Sequence, residues 1–190
     1  MASESAEPIH ILGFSGSLRK ASYNTGTLRA AKELLPEGMT LEIFDLSQFP
    51  LYNEDVREKG IPECVLEFGV KITSADALLI AIPEYNYSVS GVLKNAIDWA
   101  SRIPSKPLEN KPVAIMGASI GNYGTARAQY HFRQVCVFTN MHPVNKPEVL
   151  ITRAKEKFDT EGNLTDQPTR DVIRMLLESL AEWTRRLKIH

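Results

Sequence analysis

Six consecutive residues, Ala77-Leu78-Leu79-Ile80-Ala81-Ile82, carry no polar side chain, and this run constrains the fold more than any other. Its length suits a strand, and a strand apolar on both faces must be covered on both. Such a strand belongs at the centre of a parallel sheet with a helical layer on each side. Parallel strands need long crossovers, so the flanking sequence should alternate strand with helix.

The chain meets that requirement. Ile9, Ile11, Leu12 and Phe14 mark a first strand, and Leu28, Ala30, Ala31, Leu34 and Leu35 recur at helical spacing after it. Leu41 to Phe44 alternates at a period of two, a second strand ending at Asp45. Phe49 to Asp55 reads as loop, and Val65, Leu66, Phe68, Gly69 and Ile72 as a helix opened by Pro62. Behind the central strand, Val92, Leu93, Ala96, Ile97 and Ala100 define an amphipathic helix entered at Gly91. Val113 to Met116 is a fourth strand, Gly117 to Gly124 a glycine-bearing loop, and about Ala126 to Phe138 the next helix. Val144 to Ile151 supplies a last strand, where Pro147 favours an edge position. A turn at Asp159 to Asn163 precedes a closing helix through Val172, Ile173, Leu176, Leu177, Leu180, Thr184 and Leu187. The prediction is an α/β fold with a doubly wound, five-stranded parallel sheet flanked by helices. It is expected as one domain over residues 1–190, with 1–8 as a flexible tail.

Doubly wound sheets bind ligands beyond the carboxyl ends of their strands. Three polar loops stand there: Ser15–Asn24, Pro83–Ser90 and Gly117–Gly124. The first, Ser15-Gly16-Ser17-Leu18-Arg19-Lys20-Ala21-Ser22-Tyr23-Asn24, joins a strand to a helix. Helix N-terminal N–H groups, hydroxyls and one guanidinium suit a phosphate dianion. Arg19 stands where a third fingerprint glycine would, and no G-K-[ST] follows, so a mononucleotide such as FMN fits better than NAD or ATP. Taken alone, the loop fits equally an ordinary turn with Asn24 or Thr25 capping the helix. The second loop, Pro83-Glu84-Tyr85-Asn86-Tyr87-Ser88-Val89-Ser90, offers rings and backbone N–H groups to a flat heterocycle, and such donors near flavin N1 and C2 favour its reduced form.

Composition weighs against other classes. With 22 basic and 23 acidic residues the net charge is −1, which lacks the footprint of a nucleic-acid binder and the acidic surface of a flavodoxin-type carrier. Cys64 and Cys136 form no C-x-x-C pair and are expected as two buried thiols in a reducing compartment. His10, His131, His142 and His190 are scattered, so no metal site is expected. The start of the chain is polar and acidic, unlike a secretory signal, and no run approaches the roughly 20 apolar residues of a membrane span, so a cytoplasmic protein is expected.

Gly-Ser-Leu-Arg-Lys-x-Ser-x-Asn at 16–24, Pro-Glu-Tyr-Asn at 83–86 and Gly-Val-Leu-Lys-Asn-Ala-Ile-Asp-Trp-Ala-Ser at 91–101 together resemble the NADPH-dependent FMN reductase family. Within it the sequence is most similar to the bacterial branch of chromate, quinone and azo-dye reductases, over about residues 9 to 150. The resemblance implies a flavodoxin-like fold of strand order 2-1-3-4-5, noncovalent FMN, NADPH or NADH as donor, and a homodimer or homotetramer. Carried over by motif, Ser15, Ser17, Leu18, Arg19, Ser22 and Asn24 would surround the phosphate. Pro83, Glu84, Tyr85 and Asn86 would line the isoalloxazine and ribityl chain, with Ser119 and Gly121, and also Asn122 and Gly124, closing the other side. The family commonly has glycine after Pro-Glu-Tyr-Asn and a glycine pair near the end of the third loop. This chain has Tyr87 and Gly124-Thr125 instead. Tyr87, and Tyr123 opposite it, add aromatic walls at the expected substrate entrance.

The expected function is transfer of hydride from NAD(P)H to bound FMN and on to quinones, azo compounds, free flavin or oxyanions such as chromate, by a ping-pong mechanism without a catalytic side chain. The alternative is a non-catalytic flavodoxin-like electron carrier or redox sensor on the same fold. Glu84 is read as positioning through its backbone, Asp45 as a surface acid, Asp98 as a solvated residue and Trp99 as packed at an interface. Arg127, Tyr130, His131 and Arg133, near Glu148, form an aromatic and basic helix face suited to a subunit interface.

Overall fold

A computed structural model describes residues 7–188, so most of the expected N-terminal tail lies outside the described residues. The elements run β1 Ile9–Ser15, α1 Tyr23–Glu33, β2 Met39–Phe44, α2 Glu54–Lys59, α3 Glu63–Ser74, β3 Ala77–Ala81, β4 Glu84–Tyr85, β5 Ser88–Val89 and α4 Gly91–Ala100. They continue with β6 Pro112–Ala118, α5 Ala126–Thr139, β7 His142–Pro143, β8 Val149–Ile151, a 3-10 turn Ala154–Glu156 and α6 Gln167–Lys188. Among the described residues, no helix is long and apolar enough to cross a membrane.

The main sheet has the order β2-β1-β3-β6-β7, with β8 also paired to β6, and every pairing in it is parallel. This is the flavodoxin-like 2-1-3-4-5 order with its fifth strand in two pieces. The expected strand from Val144 to Ile151 is corrected accordingly. His142 and Pro143 pair with the start of β6, where the Val144 N–H still donates to the Val113 carbonyl at 2.8 Å, and Val149 to Ile151 pair with its end, while residues 145–148 leave the ladder. An edge position tolerates that gap, because only one side of the strand has to be bonded.

Every residue of β3 is buried because the sheet is covered on both faces. Ala77, Leu79 and Ala81 join Leu28 and Ala31 of α1 and Ile173, Leu177 and Leu180 of α6 in one core. Leu78 and Ile80 join Phe68 of α3, Leu93 of α4 and Phe132 of α5 in the other. Each of these fully buried Leu, Ile or Phe side chains contributes roughly 2 kcal/mol of transfer free energy. At the amino end of the sheet Asp76 accepts from the His10 N–H at 2.7 Å and from Lys188 Nζ at 2.8 Å. Burial alone would raise the Asp76 pKa, but these donors outweigh it and hold the carboxyl below its usual range.

Several local expectations change. α2 begins inside the stretch read as loop, with Asn53 as its N-cap. None of its residues is buried, so no apolar periodicity marks it. Pro83–Ser90 is a small antiparallel hairpin, and β6 extends through Gly117 and Ala118 before the third loop starts. Trp99 packs inside the protomer rather than at an interface. It is fully buried, donates from Nε1 to the Pro50 carbonyl at 2.9 Å and meets the Tyr52 ring edge-on. Asp98 pairs with Lys94 one turn away, and Asp45 caps its own loop by accepting from Ser47. Cys64 is only half-buried, whereas burial of Cys136 pushes its thiol up to about 12.

Candidate flavin-binding site

The three loops meet at the carboxyl ends of β1, β3 and β6, around a cavity of about 340 Å³. A volume of that order suits a small-molecule ligand. Its walls carry Ser17, Arg19, Ser22, Tyr23 and Asn24 from the first loop, Pro83, Glu84 and Tyr85 from the hairpin, and Ala118, Ser119 and Ile120 from the end of β6. Lys155, on the 3-10 turn, completes them. Another cavity of about 240 Å³, between the C-terminal ends of α4 and α5, lies at the opposite end of the sheet, away from these loops.

Internal hydrogen bonds fix the first loop. The Gly16 N–H donates to the Ala81 carbonyl at 3.1 Å, and the Ser90 hydroxyl donates to the Gly16 carbonyl at 2.8 Å while capping α4. A Cβ on Gly16 would stand 2.5 Å from that hydroxyl, so the loop can approach α4 only as glycine. Ser22 is the N-cap of α1, accepting from the Thr25 N–H, in place of the expected Asn24 or Thr25. Asn24 is buried and bridges to the end of β6. Its amide donates to the Ala118 carbonyl at 3.0 Å and its oxygen accepts the Ala118 N–H at 2.9 Å. Ser15 Oγ accepts from the Ser17 N–H. Arg19 lies over the Tyr23 ring, 4.9 Å from its centroid, and extends into solvent.

The hairpin is held differently. Asn86 and Tyr87 have φ of 50° and 68°, the mirror-image turn that matches the twist of two antiparallel strands. The Glu84 side chain is almost entirely buried; one oxygen pairs with Arg127 and the other accepts the Ala128 N–H. Helix α5 lacks a cap of its own, because Thr125 sits at φ 69° with no side-chain bond to the helix start. Glu84 supplies the missing cap from another element. Arg127 is stacked between two rings, 3.6 Å from the Tyr87 centroid and 4.5 Å from that of Tyr123. Its pKa is raised, first by the hydrogen bond to Glu84. Ser88 and His131 also bond, at 3.1 Å.

Charge on the cavity wall is therefore uneven. Arg19 and Lys155 are exposed, and the one carboxylate there, Glu84, is already paired. Two cations, two hydroxyls and the start of α1 fit a terminal phosphate, and a half-exposed Tyr85 beside Pro83 fits a flat ring. The donor set thus suits a mononucleotide with an aromatic head.

Residues 9–156 match the model of the NADPH-dependent FMN reductase family. The chain belongs to that family. It is 55% identical over 183 residues to an NAD(P)H-dependent FMN reductase of Pseudomonas aeruginosa, covering 96% of this chain and 99% of that protein. It is 46% identical over 186 residues to an NADPH:quinone oxidoreductase of Arabidopsis thaliana, covering 95% and 94%. Among solved structures it resembles FerB, a flavoenzyme NAD(P)H:acceptor oxidoreductase from Paracoccus denitrificans, at a TM-score of 0.84 and 30% identity over 94% of this chain and 98% of that one. As a member of the FMN reductase family the chain is an oxidoreductase that works with FMN and takes electrons from NAD(P)H.

Of the residues singled out in the sequence, Ser17, Arg19, Ser22, Asn24, Pro83, Glu84, Tyr85 and Ser119 come together on the cavity wall. Ser15 lies behind the first loop, Leu18 projects into solvent, Asn86 sits at the hairpin tip, and Gly121 accepts the Arg153 N–H outside the lining. Tyr23, Ala118, Ile120 and Lys155 join the wall unannounced by any motif. Gly124, at φ 54°, is pressed against β8, where a Cβ would stand 2.5 Å from the Leu150 carbonyl carbon. The helix face read as an interface divides. Tyr130 donates to Glu148 at 2.9 Å and Arg133 to Asn145 and the Val144 carbonyl, whereas Arg127 turns to the hairpin.

Proposed function

We propose that the chain, as one flavin-binding domain over residues 1–190, is a cytoplasmic NAD(P)H oxidoreductase that reduces quinones, azo compounds, free flavin and oxyanions such as chromate through bound FMN. The observation that carries this reading is the cavity to which all three loops contribute, with Arg19 and Lys155 as cations and Tyr23 and Tyr85 as rings on its wall. Ser15, Ser17, Leu18, Arg19, Ser22 and Asn24 form or support the phosphate end, with Arg19 as the anchor and Ser22 and Asn24 fixing the loop's shape. Pro83, Glu84, Tyr85, Asn86, Ser119 and Gly121 form or support the ring end.

When bound, FMN supplies the two-electron chemistry, accepting hydride from a nicotinamide and passing it to the acceptor. The protein's own residues position the partners, and the buried Glu84 carboxylate is taken up by Arg127 and the Ala128 N–H. Donor and acceptor use the same open side in turn, which gives ping-pong kinetics. Initial rates with NADPH and benzoquinone test this: parallel double-reciprocal lines are expected, and intersecting lines contradict it. The relatives' names favour quinones as acceptors, and the exposed Tyr87 and Tyr123 rings, both against Arg127, offer them apolar surface beside the hairpin.

We also assign the outer face of α5, with Tyr130 and its partner Glu148 and without Arg127, which the hairpin takes up, to contact with further copies in a homodimer or homotetramer. Val137 and Phe138 on the same helix are more than 80% exposed, an apolar surface of the kind that self-association covers. Light scattering after size exclusion should show an assembly that Tyr130→Ala with Phe138→Ser dissociates. A monomeric wild type removes this assignment.

A further inference from the structure

Lys155 brings to the cavity a charge that no motif marks. It sits on the turn Ala154–Glu156, after the last piece of the sheet, and shares the wall with Ser17, Arg19 and Ser22. Backbone bonds fix its carrier. The Arg153 N–H donates to the Gly121 carbonyl and the Ala154 N–H to the Ser119 carbonyl, both at 3.0 Å, and the Ala154 side chain is fully buried. Farther along, the Phe158 ring packs 4.9 Å from that of Tyr23. Arg29 on α1 donates to the Gly162 carbonyl at 2.8 Å, and a Cβ on Gly26 would stand 2.0 Å from that same oxygen. The segment is thus bonded to the third loop on one side and lies flush on the first turns of α1 on the other.

Lys155 has no carboxylate partner among the described residues. Its neighbours Arg153 and Glu156 pair with each other, and Glu84 holds Arg127. Arg19 likewise has no acid beside it, and the first turn of α1 contains none. Two free cations and a helix N-terminus directed at one cavity repel each other unless a dianion joins them, and a phosphate monoester carries about −1.5 to −2 near pH 7.

We propose that Lys155 is the second cation of the phosphate subsite, closing on the terminal phosphate of FMN from the side opposite the first loop. This rests on the flavin reading above and deepens it: one side of the phosphate is held by the loop that the family motif marks, the other by the segment after β8. The phosphate of NADPH is the other possible source of the same chemistry, and the hydroxyls and helix start that share the wall with Lys155 favour the cofactor's tail.

The test is fluorescence titration of the flavin-free full-length protein with FMN and, separately, with riboflavin, which lacks the phosphate. Lys155→Ala should raise the Kd for FMN about tenfold, the lower range for one charge-assisted hydrogen bond, and leave that for riboflavin unchanged. Lys155→Arg should retain most of the affinity, and the melting temperature should not move, since the side chain is exposed. An unchanged FMN Kd in Lys155→Ala overturns the proposal, and so does equal weakening of both flavins. A raised KM for NADPH with FMN binding intact also overturns it, moving Lys155 to the donor's phosphate. A wild type that binds neither flavin overturns the flavin reading and this proposal together.

Discussion

At the phosphate end of the cavity Arg19 and Lys155 reach into solvent with no acid beside them, whereas at the hairpin end Glu84 and Arg127 neutralise each other between two tyrosine rings. The first arrangement leaves charge for a ligand. The second uses charge to join the hairpin to α5, a helix that has no cap of its own. Affinity on this account resides at the tail, and the ring end remains electrically quiet, so that oxidants of different charge can approach it.

Asn24 ties the first loop to the end of β6, and its removal should have the largest effect. Asn24→Ala leaves the buried N–H and carbonyl of Ala118 without partners at about 1–3 kcal/mol each. A total of about 3 kcal/mol corresponds in a chain of this size to a fall in Tm of about 6–12 °C by calorimetry. FMN and riboflavin should weaken together, because the whole cavity loosens. Arg19→Ala should separate them. It should weaken FMN about 10- to 100-fold, the range of one strong charged contact, with riboflavin and Tm unchanged. Equal loss of both flavins would erase the distinction between tail and ring.

The hairpin end should respond through stability instead. Glu84→Ala removes the borrowed cap, about 1 kcal/mol, and should lower Tm by about 2–4 °C while the ratio of FMN to riboflavin affinity stays constant. Tyr87→Gly is the mildest change. It relieves a left-handed residue at about 1–2 kcal/mol but forfeits a cation–π contact of similar size, so Tm should hardly move. The KM for bulky quinones should change if they use the exposed Tyr87 ring on the hairpin. A constant KM across a quinone series would show that Tyr87 does not face the acceptor.

Much of this architecture is legible in the sequence because burial writes a strong pattern. The unbroken apolar run at Ala77–Ile82 announces a strand covered on both sides, and the loops after β1, β3 and β6 announce where the cavity opens. The two departures from the family's glycines become intelligible only in three dimensions. Tyr87 and Thr125 both occupy left-handed backbone, at φ 68° and 69°, which glycine adopts without strain. Tyr87 is held there by Arg127, and buried Thr125 by its hydroxyl, which accepts from Gln129 at 3.1 Å. Helix α2 leaves no pattern in the sequence because it buries nothing, nor does the split of the edge strand, because part of its ladder is absent. Lys155 carried no signal, because a lone lysine after a strand looks like any solvated residue until the fold wraps its segment onto α1.

The central claim is tested most directly by loading the purified protein with FMN and titrating it anaerobically with NADPH, then with benzoquinone. Stoichiometric NADPH should bleach the flavin absorbance, and the quinone should restore it at a rate consistent with turnover. A flavin that stays oxidised under excess NADPH and NADH would contradict the account and leave the protein an electron carrier.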